Sequence, residues 1–463
     1  IGRRLIQATI QRAVEEGWQR QTLGTWSANF KAVPAYKKTG HFWTPDTSVW
    51  MQNFVPGALQ MSLAKPFFER HDWYRCYVRE IQQEWDDQRW EGLKVFTERW
   101  EADGESLTIW IDREARAPVA VETDAVLIAA IAADIEPLAG SKVTLTWRVQ
   151  NKGAEPLPIY LHALGDKGLT IDHRDAWTVA PGETVERTAE VQVADDAPAK
   201  KEEDETVPAV RSVLRVGEDD LELFSGMAAR QPLRLDTAPG EITVRPGTPQ
   251  TIRLQLHSEM AEPATLVVRL TPPEGLATDW TWREVEIGPK GYAALPLVLT
   301  AAEERVYRLP VRVDRPGAKA VSEECTVFSL DAGGLLMHRE TKSVRVETDA
   351  LRMTVAAKGG GVRVAHKAER SNVLSLTTNL GPPYHPYEFH EQEFAIQVEE
   401  RGGRAILRMQ AEAENYPGLA IHEEIALSPS GVGSLTAYLE NGGTEPVEKR
   451  IDLRIGTANR EAC

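Results

Sequence analysis

Apolar residues recur at two different periods along this chain, and the period changes near Leu93. Close to the start they fall at helical spacing, one face of an amphipathic helix that Gly17 ends. That face is formed by Leu5, Ile6, Thr9, Ile10, Ala13 and Val14. From Leu93 onward apolar and polar residues alternate between turn residues, which is typical of half-buried strands. The pattern predicts a short α/β part followed by a long, mostly β part.

Within the first part, residues 25–42 read TWSANFKAVPAYKKTGHF. The stretch predicts a strand end, a loop carrying Asn29, and a short helix ended by Gly40 in a left-handed conformation. Ala32 and Tyr36 lie four residues apart and therefore share one helix face. Residues 58–92 are predicted as helix, turn and helix with a break at Pro66. The same range contains an aromatic stripe, for which a role in packing is favoured over ligand binding. The stripe consists of Trp73, Tyr74, Tyr77, Ile81, Trp85 and Trp90.

Residues 93–136 alternate as several short strands and are predicted to form a small β unit linking the first part to the rest. The five residues VETDA at 121–125 recur at 346–350. Both copies stand where one set of strands ends and another begins. This position suggests that they mark domain junctions.

The middle of the chain contains an internal repeat with an offset of 107 residues. Gly140 recurs as Gly247, and Gly168 as Gly275. Each copy spans about a hundred residues with seven or so alternating segments and Pro-Gly turns, which is typical of an immunoglobulin-like sandwich. Two tandem sandwiches are therefore predicted, at 137–236 and 237–345.

The last part, 346–463, contains further strands and a loop at 381–390 rich in proline and aromatic residues. The loop carries His385, Glu388 and His390, and Glu391 follows it directly. Three interpretations stay open: a structural crossover with solvated polar residues, a tyrosine-lined surface that binds sugar, and an acid/base pair.

Charge and composition exclude several classes of partner. The chain has 463 residues and a formal net charge of −16, which argues against binding of nucleic acid or of an anionic membrane. It contains no run of eighteen apolar residues, so no transmembrane helix is predicted. Cys76, Cys325 and Cys463 are far apart, which suits reduced thiols in a cytoplasmic protein and offers no metal-ligand spacing.

Residues 29–42 resemble the last conserved segment of the GNAT family of N-acetyltransferases, N-x-x-A-x-x-x-Y-x-x-x-G-F. Asn29, Ala32, Tyr36 and Gly40 occupy its spaced positions, with Phe42 one place later than usual. Gly2 matches the last glycine of that family's pyrophosphate loop. The resemblance covers about sixty residues, the second half of such a domain.

The resemblance implies acetyl transfer from acetyl-CoA to a primary amine. Tyr36 would be the general acid, and Asn29 would bind the pantetheine arm. Gly2, Arg3 and Arg4 would hold the pyrophosphate at a helix start, where free N–H groups attract anions. The general base would lie in the absent first half. Ordinary alternatives are a core tyrosine, a helix cap and a solvated terminus.

Residues 346–463 show a looser similarity to galactose-mutarotase-like β-sandwich domains and are expected to be truncated. The predicted fold is therefore multidomain: a partial α/β acetyltransferase half followed by two immunoglobulin-like sandwiches and a larger β-sandwich. Its predicted domains are 1–92, 93–136, 137–236, 237–345 and 346–463. The predicted partners are acetyl-CoA, an amine and, through the last domain, carbohydrate. The rival hypothesis is a non-enzymatic carbohydrate-binding or surface module array.

Overall fold

The computed structural model divides the chain into two compact units, Ile1–Pro232 and Leu233–Cys463. The structure describes residues 2–44, 49–79, 88–198, 206–238, 241–315, 319–367, 371–382, 384 and 388–457. Across these ranges the chain is mainly β, with thirty-four strands and five helices. None of the described helices is both long enough and apolar enough to cross a membrane. The cytoplasmic location stays a prediction.

The first unit begins with a three-stranded antiparallel sheet in the order β1-β3-β2. Its elements and the helices around it are α1 (Gly2–Glu15), β1 (Gln21–Gly24), α2 (Val33–Lys37), β2 (His41–Trp43), β3 (Trp50–Asn53), α3 (Val55–Gln60), α4 (Lys65–Arg70) and α5 (Trp73–Cys76). Pro66, predicted to break a helix, instead lies in the first turn of α4. A proline is tolerated there because the first-turn N–H groups have no helical partner.

The rest of the first unit is a sandwich of two sheets. Its strands are β4 (Gln88–Trp90), β5 (Leu93–Ala102), β6 (Glu105–Asp112), β7 (Ala117–Thr123), β8 (Val126–Ala132), β9 (Lys142–Asn151), β10 (Leu157–Gly165), β11 (Leu169–Thr170), β12 (Asp172–Val179), β13 (Thr184–Val193), β14 (Ala209–Val216) and β15 (Asp219–Gly226). The sheet orders are β11-β13-β9-β8-β7-β6-β5-β4 and β12-β10-β14-β15. The strands of 93–136, predicted as a separate linking unit, thus extend the sheet that contains β9.

The second unit contains four sheets. Its strands are β16 (Leu233–Ala238), β17 (Ile242–Val244), β18 (Gln250–Ser258), β19 (Ala264–Leu270), β20 (Leu276–Thr278), β21 (Trp282–Ile287), β22 (Tyr292–Ala301), β23 (Arg305–Asp314), β24 (Val321–Ser329), β25 (Leu335–Arg339), β26 (Ser343–Thr348), β27 (Leu351–Ala356), β28 (Val362–His366), β29 (Ser371–Gly381), β30 (Ala395–Arg401), β31 (Arg404–Glu412), β32 (Leu419–Leu427), β33 (Gly433–Asn441) and β34 (Arg450–Thr457). The sheet orders are β16-β18-β22-β20, β17-β24-β23-β19-β21, β25-β26-β27-β28-β29-β34 and β30-β31-β32-β33. Two hydrophobic cores fill this unit, one under the first pair of sheets and one under the second.

The two copies of the 107-residue repeat have the same strand order. In the first, β12-β10-β14-β15 faces β11-β13-β9; in the second, β21-β19-β23-β24 faces β20-β22-β18. Gly140 and Gly247 both have positive φ, +84° and +67°, as do Gly168 and Gly275. Glycine adopts this left-handed backbone without the steric cost that a Cβ atom imposes. The repeated glycines therefore mark equivalent turns.

The expected acetyltransferase-like α/β half requires a correction. After α1, the helices of the N-terminal segment have six residues or fewer. Its aromatic side chains pack on the sandwich: the Phe42 and Phe54 rings lie 4.8 and 5.6 Å from the Phe96 ring of β5. These residues share one hydrophobic core with the strands that follow. The segment is therefore an appendage of a β-sandwich unit.

Candidate functional site

Asn29 organises the turn that leads into α2. Its Oδ1 accepts a hydrogen bond from the Ala32 N–H at 3.2 Å, and its Nδ2 donates to Thr25 Oγ1 at 3.3 Å. Asparagine commonly bonds its own backbone in this way at turns and helix starts. The side chain thus has a local structural role. A contact with the pantetheine arm of acetyl-CoA stays an untested prediction.

Tyr36 is half-buried and packs beside a small cluster formed by Val33, Trp43 and Met51. Its ring lies 5.7 Å from the ring of His41, tilted by 54°. A half-buried aromatic ring at an apolar cluster contributes by the area it removes from water. The geometry places Tyr36 in packing, and its predicted role as a general acid is untested.

His41 is a buried polar residue that sequence reasoning did not single out. Its Nδ1 lies 3.1 Å from Asn53 Nδ2 and 3.2 Å from Thr39 Oγ1. Burial lowers the pKa of His41 to about 4, because the charged imidazolium loses its hydration. The neutral ring therefore belongs to a buried hydrogen-bond cluster at neutral pH.

Gly2, Arg3 and Arg4 lie in the first turn of α1 and are exposed. A Cβ atom built at Gly2 would meet nothing within 4 Å, so no close approach requires glycine there. The Arg3 guanidinium lies 5.5 Å from the centre of the Tyr74 ring. Arg3 contacts Tyr74, whereas Asn29 bonds Thr25 and Ala32, so the described contacts do not join the two predicted cofactor-binding residues.

The aromatic stripe is used for packing. The Tyr77 ring lies 5.4 Å from the Trp100 ring, and Trp90 stacks on Trp110 at 4.6 Å. Ile81 and Trp85 lie outside the described residues. Offset and tilted aromatic pairs of this kind stabilise a core beyond their buried area.

The polar residues of the loop at 381–390 divide between two environments. Glu388 is buried, at 5% exposure, and accepts hydrogen bonds from Asn415. Glu391 is exposed and pairs with Lys358, and His390 Nε2 lies 3.6 Å from it at the surface. His385 lies outside the described residues. Glu388 and Glu391 thus have different partners in different environments.

A pocket opens beside this loop, between the turn before β32 and the segment that joins β33 to β34. Its volume is about 530 Å³, and its lining residues are Asn415, Tyr416, Pro417, Thr444, Glu445, Pro446, Val447, Glu448 and Lys449. Tyr416 and Val447 are partly buried against the core of the module. Most of the other lining residues are exposed and polar. The pocket therefore combines an apolar floor with a polar rim.

Asn415 is held in place at the edge of this pocket. Its backbone N–H donates to Glu388 Oε2 at 3.0 Å, and its Nδ2 lies 3.1 and 3.2 Å from the two carboxyl oxygens. Three hydrogen bonds from one residue to one buried carboxyl group fix both its backbone and its amide. The amide orientation is therefore set before any ligand binds.

Lys449 and Arg450 fix the opposite side of the pocket. Lys449 Nζ donates to the Pro382 carbonyl at 2.6 Å and lies 4.8 Å from the centre of the Tyr416 ring. Arg450 donates to the Tyr384 hydroxyl oxygen from Nη2 at 2.6 Å and from Nε at 2.9 Å. A cation above a ring face is attracted to its π electrons. The loop and the pocket thus form one connected surface.

The sequence contained a signal for this pocket. Residues 415–418, Asn-Tyr-Pro-Gly, combine turn residues with an aromatic ring, and such loops commonly carry binding residues. The contact of Asn415 with Glu388, twenty-seven residues earlier, is non-local and has no pattern in the sequence. Among the described residues no group of three or more His, Cys, Asp or Glu side chains could hold a metal ion.

The architecture defines a multidomain protein built mostly of β-sandwiches. No family model matches the chain, and no curated protein matches it. Among solved structures, the crystal structure of red sea bream transglutaminase is similar at 14% identity and a TM-score of 0.26. That match covers 44% of this chain and 31% of that one. The chain thus spans under a third of that protein's length.

These findings correct both family resemblances. The GNAT resemblance at residues 29–42 is wrong, since the chain is mainly β and matches no acetyltransferase family model. The same correction covers the looser galactose-mutarotase resemblance of 346–463, which no family model supports. The predictions of acetyl transfer and of acetyl-CoA binding were inferred from the first resemblance. They lose that basis and stay untested.

Proposed function

We propose that this chain is a non-enzymatic array of β-sandwich modules whose C-terminal module binds carbohydrate. The observation that carries the proposal is the pocket at Tyr416, where an aromatic ring and a fixed amide stand side by side. A sugar has apolar C–H faces that pack on an aromatic ring and hydroxyl groups that need polar partners. The Tyr416 pocket offers both kinds of contact.

The size and rigidity of the pocket support this proposal. Its volume of about 530 Å³ is in the range of about 300–1,000 Å³ that is usual for small-molecule sites. The bonds from Asn415 to Glu388 and from Lys449 to Pro382 hold two of its walls. A preorganised site loses less conformational entropy when a ligand binds.

The proposal is tested with the full chain by isothermal titration calorimetry against soluble oligosaccharides. Tyr416→Ala removes the ring and should weaken binding by about tenfold or more, whereas Tyr416→Phe keeps the ring and should bind nearly as well as the wild type. Tyr438→Ala is the matched control, because Tyr438 is 57% exposed on β33 and does not line the pocket. Melting temperatures show whether each variant is folded.

Two results would contradict the proposal. One is the absence of measurable binding to any oligosaccharide by the folded wild type. The other is binding that Tyr416→Ala leaves unchanged, because a ligand at another place would not depend on that ring.

A further inference from the structure

Two hydrogen-bond donors that line the Tyr416 pocket, Asn415 and Lys449, already bond acceptors of the protein. Asn415 Nδ2 faces the two oxygens of Glu388 at 3.1 and 3.2 Å. An amide nitrogen has two hydrogens and the amide oxygen lies on the other side of the same planar group. With Nδ2 turned to Glu388, the group that Asn415 can offer a ligand is Oδ1, an acceptor.

Lys449 is the cation among the lining residues, and its ammonium already makes two contacts within the protein. It donates to the Pro382 carbonyl at 2.6 Å and lies over the Tyr416 ring. An ammonium has three N–H donors, so the bond to Pro382 uses one of them. The one positive charge among the described lining side chains thus lies over the Tyr416 ring, on the Pro382 side of the pocket.

Two carboxylates line the same pocket, Glu445 and Glu448. Both residues are exposed, and within the described part of the chain neither side chain has a hydrogen bond or an ion pair. The segment that carries them is anchored, since Asn441 Nδ2 donates to the Glu445 carbonyl at 2.9 Å. An ionised carboxylate is an acceptor only. The Tyr416 and Thr444 hydroxyls can donate or accept. The charged groups of the described lining are thus two unpaired carboxylates against one lysine that already bonds Pro382, which leaves the pocket net negative.

Resting on the proposed function, we infer that the pocket selects a saccharide carrying a free ammonium group over its neutral and N-acetylated counterparts. Acceptors need donors, and a charged ammonium donating to a carboxylate forms a stronger hydrogen bond than a hydroxyl does. An N-acetyl group removes the positive charge and adds an acceptor oxygen. A sugar carboxylate would be repelled by Glu445 and Glu448.

Three trisaccharides test the inference because they differ at the C2 substituent: cellotriose with hydroxyl, N-acetylchitotriose with acetamide, and chitotriose with free amine. Titrations use the full chain at about pH 6, where an amine is protonated. We expect chitotriose to bind about tenfold more tightly than the other two. The preference should shrink as salt is added, because exposed charges are screened.

Variants assign the preference to the pocket. The double variant Glu445→Gln with Glu448→Gln should remove the preference, so that chitotriose and cellotriose bind with the same affinity. Glu400→Gln is the charge-matched control, since Glu400 is exposed on β30 and does not line the pocket. It should leave all three affinities unchanged.

The outcomes separate this inference from the proposed function. Equal or tighter binding of cellotriose or N-acetylchitotriose, still lost in Tyr416→Ala, overturns the ammonium preference and leaves the carbohydrate site in place. A chitotriose preference that survives the double variant also overturns the inference. Failure of all three trisaccharides to bind the folded wild type overturns both.

Discussion

Asp112 makes the clearest prediction about stability, because its buried carboxyl group joins the two sheets of the first unit. It stands at the end of β6 with 3% exposure. Oδ1 accepts from the N–H groups of Glu114 and Ala115, both at 2.8 Å, and Oδ2 accepts from Gly226 on β15 at 3.0 Å. A Cβ atom at Gly226 would lie 2.9 Å from Ala115 N, so the strands approach closely here.

Asp112→Ala removes the acceptor of three backbone N–H groups. Each lost hydrogen bond costs roughly 1 kcal/mol, and more where the donor stays buried without water. We expect the free energy of unfolding to fall by about 3 kcal/mol. Asp112→Asn keeps the shape but turns an NH₂ group toward one of these donors, so its loss should be smaller.

The same carboxyl group gives a pH dependence of known sign. Burial is the main cause that raises the pKa of Asp112, to about 6 from an ordinary value of 3.8. The folded state thus binds a proton that the unfolded state has released between about pH 4 and 6. The stabilising effect of that proton is present below pH 4 and is lost as the pH rises through 6. Its size is about 3 kcal/mol, at 1.4 kcal/mol per pKa unit.

Hydrogen exchange measures both effects at the right place in the chain. Peptides that contain Ala115 and Gly226 should lose protection in Asp112→Ala. The difference in protection between wild type and Asp112→Asn should change between pH 4 and 6. The reasoning is refuted if Asp112→Ala exchanges like the wild type, or if the wild type and Asp112→Asn respond identically to pH.

Three further predictions use thermal or urea unfolding. Gly40→Ala should lower stability by at least about 1 kcal/mol, because φ is +86° and the new Cβ would lie 2.6 Å from Val55 Cγ2; a neutral result would contradict this. Arg352→Ala should destabilise by about 3 kcal/mol, since Glu347 is fully buried and Arg352 Nε lies 2.6 Å from it. A loss below about 1 kcal/mol would contradict this and would show that the other cations paired with Glu347, Arg345 and Lys367, are enough. Burial lowers the pKa of His41 to about 4. The contribution of the neutral ring to the free energy of unfolding is therefore present above pH 6.5 and is lost as the pH falls toward 4. His41→Gln should remove this dependence of the free energy of unfolding on pH.

The strands were predictable because their signal is local. The alternation that predicts strands from Leu93 onward includes the residues that form β9. The offset between Gly140 and Gly247 predicted two tandem sandwiches, and the two copies share one strand order. Buried and exposed side chains alternate along β9, as a strand with one buried face requires. Periodicity and turn glycines carry this information within a few residues.

Partners across the chain were not predictable in the same way. The sequence of β8 or of β9 alone does not show that the two strands pair. The prediction of 93–136 as a separate unit therefore missed the sheet to which these strands belong. At the candidate site, the loop at 381–390 was recognised, but the role of Glu388 depends on Asn415. Motif spacing at Asn29 and Tyr36 suggested a cofactor site, whereas their described contacts are a local turn and a small apolar cluster.

The repeated pentapeptide VETDA shows how far a local sequence determines structure. Each copy forms the turn between adjacent antiparallel strands, β7 to β8 and β26 to β27, and therefore does not mark a domain junction. The threonine hydroxyl accepts from the residue three places on in both, at 3.2 Å for Thr123 and 3.0 Å for Thr348. Threonine favours such turns through bonds of this kind.

The glutamate of each copy pairs with a lysine, but the two glutamates differ in burial. Glu122 pairs with Lys152 where the side chains are 35% and 28% exposed, while Glu347 pairs with Lys367 at 2.8 Å with no exposure of the carboxylate. In both copies that lysine donates its backbone N–H to the alanine of the pentapeptide, at 2.8 and 2.9 Å. The two copies thus share the turn and a contact with a lysine from a later strand or turn. The surrounding sheets decide whether the ion pair lies in water, where it contributes little, or in the protein interior, where loss of either partner is costly.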